Sequence, residues 1–83
     1  MKTVIYTKAA ARALARMPVN VARTIRDKIE QYASDPACLA NNVKKLQGRP
    51  GYRLRVGNWR VIFDEDGKVI AILAVLPRGG AYD

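Results

Sequence analysis

The chain has no histidine, and that absence removes more chemistry than any other feature of its 83 residues. It excludes a histidine-based nuclease, a Ser-His-Asp or Cys-His hydrolase, and every metal site that uses an imidazole. Cysteine is nearly absent as well. Cys38 stands alone, so no intrachain disulfide can form, thiolates cannot hold zinc, and a reducing cytoplasm is the expected compartment. Beside Pro36, Ala37 and Leu39, Cys38 reads as a small buried filler at a loop or helix end. Gly48, Gly51 and Gly57 lack the spacing of a phosphate-binding loop. Val69 to Leu76 is an apolar run long enough only for a buried strand, so no membrane span is expected. The N-terminus lacks the basic, apolar, small-residue order of a signal peptide. The chain reads as a soluble intracellular protein with no membrane partner.

The most local absence is of acid. Residues 43–63 contain Lys44, Lys45, Arg49, Arg53, Arg55 and Arg60 and no carboxylate, whereas residues 1–42 carry seven bases and three acids. Residues 64–83 carry two bases and four acids. The net charge of +8 is therefore concentrated in the middle of the chain, where a polyanion would dock.

Within that segment Tyr52 to Arg60 alternates apolar and charged residues with a period of two. Tyr52, Leu54 and Val56 fall on one strand face and Arg53 and Arg55 on the other. Gly57-Asn58 suits a two-residue hairpin turn, because both residues tolerate positive φ. That turn pairs Val56 with Trp59, Arg55 with Arg60 and Leu54 with Val61. Two arginines then stand opposite each other on one sheet face, which destabilises a sheet unless an anion lies between them. A phosphate backbone is such an anion.

The remaining elements follow from simple patterns. Thr3 to Tyr6 reads as a strand. Thr7 caps a helix that starts near Lys8 and buries Ala10, Ala13, Leu14 and Met17. Pro18 ends that helix, and Asn20 is expected to cap a second one with Ala22, Ile25, Ile29, Tyr32 and Ala33 facing the core. Asp35-Pro36 closes it, and Asn41-Asn42 belongs to a connecting loop. Strands are expected at Val43–Leu46, Tyr52–Val56, Trp59–Phe63 and Val69–Leu76, with Asp66-Gly67 as a second hairpin turn and the last strand at the sheet centre. The predicted fold is α+β: one domain over residues 1–83, with an N-terminal strand, two helices, and an antiparallel meander whose sheet carries both helices on one face. The last strand then ends near the Gly57-Asn58 turn, so Arg78 is expected to join Arg55 and Arg60, with Tyr82 curling over them.

The chemistry left to such a face is that of arginine and tyrosine on phosphate. Arginine stays protonated and cannot act as a base. It orients a phosphodiester and neutralises charge that develops on its oxygens. A tyrosine among arginines has its phenolate favoured and becomes a candidate base. RNA supplies its own nucleophile, the 2′-hydroxyl, so such a site need not activate water. Asp64, Glu65 and Asp66 are read as turn chemistry rather than a metal site, and no cofactor is expected.

The run from Leu46-Gln47-Gly48 through Gly51-Tyr52-Arg53-Leu54-Arg55-Val56-Gly57-Asn58-Trp59-Arg60-Val61-Ile62-Phe63, with Val75-Leu76-Pro77-Arg78 and the late Tyr82, resembles the RelE/ParE superfamily of bacterial toxin–antitoxin toxins. The resemblance spans essentially the whole chain. It implies one of two activities: RelE-type members are ribosome-dependent messenger RNA endonucleases, and ParE-type members poison DNA gyrase. An inactive relative that serves in an antitoxin complex is the third alternative. The RelE catalytic pattern maps onto Arg53, Arg55, Arg60, Arg78 and Tyr82. The resemblance implies that Arg60 and Arg78 stabilise the scissile phosphate and that Tyr82 stacks on or orients the substrate base. Lys44, Lys45 and Arg49 are expected to bind RNA.

The best-known members carry lysines where this chain has Arg53 and Arg55. A lysine of lowered pKa serves as a base and an arginine does not, so either Tyr82 takes the proton or the 2′-hydroxyl attacks with help from substrate and ribosome alone. Within that resemblance, a late tyrosine after the post-strand arginine favours the RelE branch over the gyrase poisons. The partners implied are a cognate antitoxin, whose acidic segment would order on contact, in a toxin–antitoxin hetero-oligomer, together with the ribosome and messenger RNA.

Overall fold

A parallel pairing between the first and last strands joins two ends of the chain that are far apart in sequence. The computed structural model describes residues 1–80. Its elements are β1 (Thr3–Tyr6), α1 (Lys8–Ala15), α2 (Val19–Ser34), a 3-10 segment (Pro36–Asn42), β2 (Val43–Lys45), β3 (Tyr52–Val56), β4 (Trp59–Glu65) and β5 (Val69–Pro77), followed by a 3-10 turn at Arg78–Gly80. The five strands form one sheet in the order β1-β5-β4-β3-β2. β1 runs parallel to β5, and the other neighbours are antiparallel. Both helices pack on one sheet face, which is the α+β arrangement expected. β5 lies inside the sheet, and the middle place goes to β4.

Thr7 starts α1 from both sides. Its side-chain oxygen accepts from the Ala10 amide at 3.2 Å, and its hydroxyl donates to the Leu73 carbonyl at 2.9 Å, fixing the helix to β5. α1 then buries Ala10 and Leu14, and α2 buries Ile25, Ile29, Tyr32 and Ala33. Asn20 is not the cap of α2. Pro18 takes that place, with φ −53° and no side-chain hydrogen bond, and its carbonyl accepts from the amides of Val21 and Ala22. A proline has its φ pre-set near the helical value, so the helix starts directly behind it and Asn20 falls in the first turn. Cys38 is likewise not buried. Leu39 takes the inward position of the 3-10 segment, leaving Cys38 exposed with its thiol donating to the Asp35 carbonyl at 3.0 Å.

The β3–β4 hairpin has the register read from the sequence: Val56 opposite Trp59, Arg55 opposite Arg60, Leu54 opposite Val61. Of the two turn residues only Gly57 has positive φ, at 57°. Between β4 and β5 the register shifts, so that Ile62 faces Ala74 while Phe63 faces Ile72 and Leu73 is left over. This bulge resets the alternation of β5. Ile70, Ile72 and Val75 are all buried because of it, where strict alternation from Ile72 would bury Ala74. Phe63 sits at the core centre between Tyr32 and Tyr52, with ring centroids 5.2 and 5.5 Å away. Gly51, with φ 112°, passes so close to β4 that a Cβ there would stand 3.2 Å from the Phe63 carbonyl.

One polar link crosses the helix side of the sheet. Glu65 accepts from Lys2 at 2.6 Å and from the Tyr32 hydroxyl, joining the N-terminus, α2 and β4. Burial raises the Tyr32 phenol well above its usual value, and the Glu65 carboxylate that it donates to adds to the rise. Burial pushes Glu65 upward too, but the hydrogen bonds from Lys2 and Tyr32 outweigh it and hold the carboxyl below its ordinary value. Among the described residues no helix is long and apolar enough to cross a membrane.

Candidate anion-binding site

The sheet face turned away from the helices carries the cationic residues, and strand alternation puts them there. Lys44 pairs with Arg53, Arg53 with Ile62, and Ile62 with Ala74, forming one row across β2, β3, β4 and β5. The next row is Arg55, Arg60 and Leu76. Directly opposed side chains have their Cβ atoms about 4.5–5.5 Å apart. Arg55 and Arg60 therefore present like charges to each other on the outer face, while Leu54, Val56, Val61 and Phe63 of the same strands fill the core.

Between the two rows lies a cavity of about 150 Å³ lined by Asn41, Asn42, Lys44, Arg53, Arg55 and Arg60. Ile62, in the middle of the face, is only 4% exposed although it lies outside the main core cluster. The long stems of neighbouring basic side chains cover apolar surface in this way while keeping their charge in water. Arg60 is anchored: its Nη1 donates to the carbonyls of Gly57 and Trp59, both at 3.0 Å. Both acceptors flank or belong to the hairpin turn, so the turn fixes where this guanidinium stands. The same turn holds the backbone beyond β5, since the Arg78 amide donates to the Asn58 carbonyl at 2.8 Å.

The arrangement brings Lys44, Arg53, Arg55 and Arg60 together and leaves others of the expected set apart. Lys45 alternates with Lys44 and so belongs to the opposite face of β2, across from Tyr52. Arg49, exposed in the segment between β2 and β3, does not line the cavity, and neither does Arg78, whose backbone reaches the turn. Tyr82 lies outside the described residues. Asn41 and Asn42 line the cavity although the sequence placed them in a mere connection. The available signal was register. One step beyond the last β2–β3 pair, Val43 with Leu54, Asn42 comes across from Arg55.

The three consecutive acids after β4's apolar run are occupied elsewhere. Asp64 accepts from the Glu65 amide at 2.9 Å, and Asp66 accepts from the amides of Lys68 and Val69, each at 2.8 Å. Those two backbone donors hold the Asp66 carboxyl below its usual range and close the β4–β5 turn. Among the described residues the cationic face therefore has one carboxylate on its own strands, Asp64 at the far end of β4, since alternation turns Glu65 to the helix side. Asp64 is four residues along the strand from Arg60, roughly 13 Å at strand rise.

The family model for the ParE toxin of the type II toxin–antitoxin system parDE matches residues 4–82. The chain belongs to the RelE/ParE superfamily. This toxin is 30% identical over 83 residues to Toxin RelE3 of Methanocaldococcus jannaschii, covering 96% of this chain and 94% of that protein. It is also similar to the toxin chain of the archaeal RelE–RelB complex from Pyrococcus horikoshii, at 31% identity and a TM-score of 0.77, covering 96% of this chain and 98% of that one. The RelBE2 toxin–antitoxin complex of Mycobacterium tuberculosis matches with a TM-score of 0.78 over 93% of this chain and 98% of that one. At 22% identity that likeness concerns the fold alone. A RelE/ParE toxin of a type II toxin–antitoxin system is the identity that these matches support.

Proposed function

We propose that this toxin is a metal-independent messenger RNA endonuclease that cuts on the ribosome by attack of the substrate's own 2′-hydroxyl. The observation that carries the reading is the cavity on the outer sheet face, where Lys44, Arg53, Arg55 and Arg60 converge. In the reaction the 2′-oxygen forms a bond to the adjacent phosphorus as its proton leaves. The bond from phosphorus to the 5′-oxygen of the next nucleotide breaks, and that oxygen takes up a proton. The products are a 2′,3′-cyclic phosphate and a free 5′-hydroxyl. Arg60, pre-set by the turn carbonyls, and Arg55 neutralise the charge that builds on the non-bridging oxygens. Arg53 and Lys44 hold the flanking backbone. Arg78 joins from the end of β5, and Tyr82 orients the base or accepts the proton, in the roles that the family pattern gives them.

The cognate antitoxin is proposed as the protein partner. The solved relative from P. horikoshii is a RelE chain in complex with RelB, and a face of this charge is complementary to an acidic segment that orders on binding. Action in the cytoplasm accords with a ribosomal target.

The deciding experiment is incubation of the purified toxin with programmed ribosomes that carry a defined message. Cuts within the A-site codon are expected, and Arg60→Ala should slow them about 100- to 1000-fold, the usual loss for one preorganised donor to a developing oxyanion. Equal cutting by wild type and Arg60→Ala would reject the site. Inhibition of DNA gyrase is the second reading, favoured by the ParE family model over residues 4–82. Growth arrest without message cleavage, together with inhibited supercoiling, would establish it in place of the first.

A further inference from the structure

We propose that Asn41 and Asn42 read the base next to the bound phosphate and give the site a preference for adenine over guanine. The inference rests on the nucleolytic reading above and assigns its sequence preference to residues outside the arginine pattern. Both asparagines line the cavity that Lys44, Arg53, Arg55 and Arg60 share. Among the described residues no side-chain hydrogen bond engages either carboxamide, so neither has a structural duty that would explain its place there.

The chemistry of the lining separates two tasks. Guanidinium and ammonium groups only donate hydrogen bonds, which suits a phosphate, whose oxygens only accept. A carboxamide offers an acceptor oxygen beside its donor nitrogen. That acceptor gains nothing from a phosphate and is repelled by it. It is satisfied by a group that presents a donor next to an acceptor, as the N6 and N7 edge of adenine does. Approached from this N7 edge, the edge to which the proposal commits, guanine presents two acceptors, O6 and N7, and leaves the carboxamide oxygen unpaired; its N1–H donor lies on the Watson–Crick edge instead. Single-stranded RNA exposes such edges, and sequence-specific RNA recognition commonly reads them.

The frame that carries the two residues is fixed. They end the 3-10 segment, whose Leu39 is buried in the core, and the Val43 amide donates to the Ala40 carbonyl where the segment meets β2. Asn42 is half-buried and Asn41 exposed. Register puts Asn42 across from Arg55, so a base held by the carboxamides lies beside the phosphate held by the arginines.

The test compares programmed ribosomes whose A-site codons differ only by adenine or guanine at one position at a time, cut by wild type, Asn41→Ala and Asn42→Ala. Wild type is expected to favour adenine at one position by about 5- to 150-fold, the discrimination of one bidentate contact. At least one asparagine variant should bring that ratio close to one, and 7-deazaadenine, which lacks the N7 acceptor, should do the same for wild type. Arg60→Ala, by contrast, should slow every codon alike. An absent preference in wild type, or a preference that survives in both asparagine variants, would overturn the assignment. If wild type does not cut any message, the nucleolytic reading fails. Fluorescence anisotropy with adenine- and guanine-containing pentanucleotide RNAs then decides this inference separately. Discrimination that the asparagine variants abolish would uphold base reading, and equal binding of both RNAs would end it.

Discussion

Replacing Arg55 with glutamine is expected to stabilise this protein while it impairs the proposed site. Arg55 stands opposite Arg60 in the β3–β4 register, and Arg55 is exposed, so the substitution removes charge with little loss of packing. Two unit charges about 6 Å apart in water repel by about 0.7 kcal/mol, within the scale measured for opposed pairs on a sheet. For a domain of this size that corresponds to a melting temperature about 3–5 °C higher. The assay is thermal unfolding followed by circular dichroism, first in low-salt buffer free of phosphate and sulfate and then in 1 M sodium chloride. The gain should largely vanish at high salt, where the Debye length falls to about 3 Å. Arg60→Gln removes the same repulsion but also loses the two hydrogen bonds to the carbonyls of Gly57 and Trp59. Each is worth about 0.5–1.5 kcal/mol net, so that variant should melt below wild type. A lower melting temperature for Arg55→Gln at low salt, or a gain undiminished by salt, would refute the like-charge argument.

Two further outcomes follow from other parts of the molecule. Gly57→Ala should cost about 1–2 kcal/mol in urea unfolding, because φ is 57° there while no atom lies near enough to clash with a Cβ. Gly57→Asn should cost less, since asparagine tolerates that conformation, and equal losses would show that the conformational account is wrong. The carboxyl of Glu65 is held below its ordinary value of 4.5 in the folded protein, so the stability it contributes is present above that value and is lost as pH falls through the lower, folded one. Glu65→Gln should therefore flatten the acid limb of a stability–pH curve below about pH 4.5, and an unchanged limb would remove Glu65 from the account.

The hairpin was legible in the sequence because its two signals agree. Alternation set the faces of Tyr52, Leu54 and Val56 against Arg53 and Arg55, and a two-residue turn left one register that keeps both faces intact. β1 was equally plain as a β-rich run, but its parallel partner was not, because nothing local encodes a pairing across more than sixty residues. β5 hid its register for a different reason: Val69 to Leu76 is apolar at every position, so no alternation marks the bulge at Leu73. Composition also misled at Cys38, which looked like core until the 3-10 segment turned Leu39 inward instead. The cavity's asparagines were not legible because charge marks Lys44 and Arg55 in the sequence, whereas Asn41 and Asn42 are neutral and lie in a connection. Lys45 shows the converse error, since charge density alone counted it with Lys44 although one step along a strand changes the face.

A face that concentrates like charge is sustained by the other face of the same strands. Each fully buried Leu, Val or Phe contributes about 1.5–3 kcal/mol relative to exposure, several times the repulsion of one opposed arginine pair. Leu54, Val61 and Phe63 are all buried on the strands that carry Arg53, Arg55 and Arg60, so the core outweighs the cost of the cationic face residue for residue. The period of two is what couples them: a slip of one position would expose the apolar set and bury the arginines together. The register is accordingly held by its most expensive alternative. The Gly57–Asn58 turn, whose carbonyls seat Arg60 and the Arg78 backbone, inherits that precision without a network of buried polar groups to enforce it. Packing on the helix side thereby fixes the geometry of the opposite face, and substitutions there, such as Phe63→Leu, should loosen the position of Arg60 without touching it.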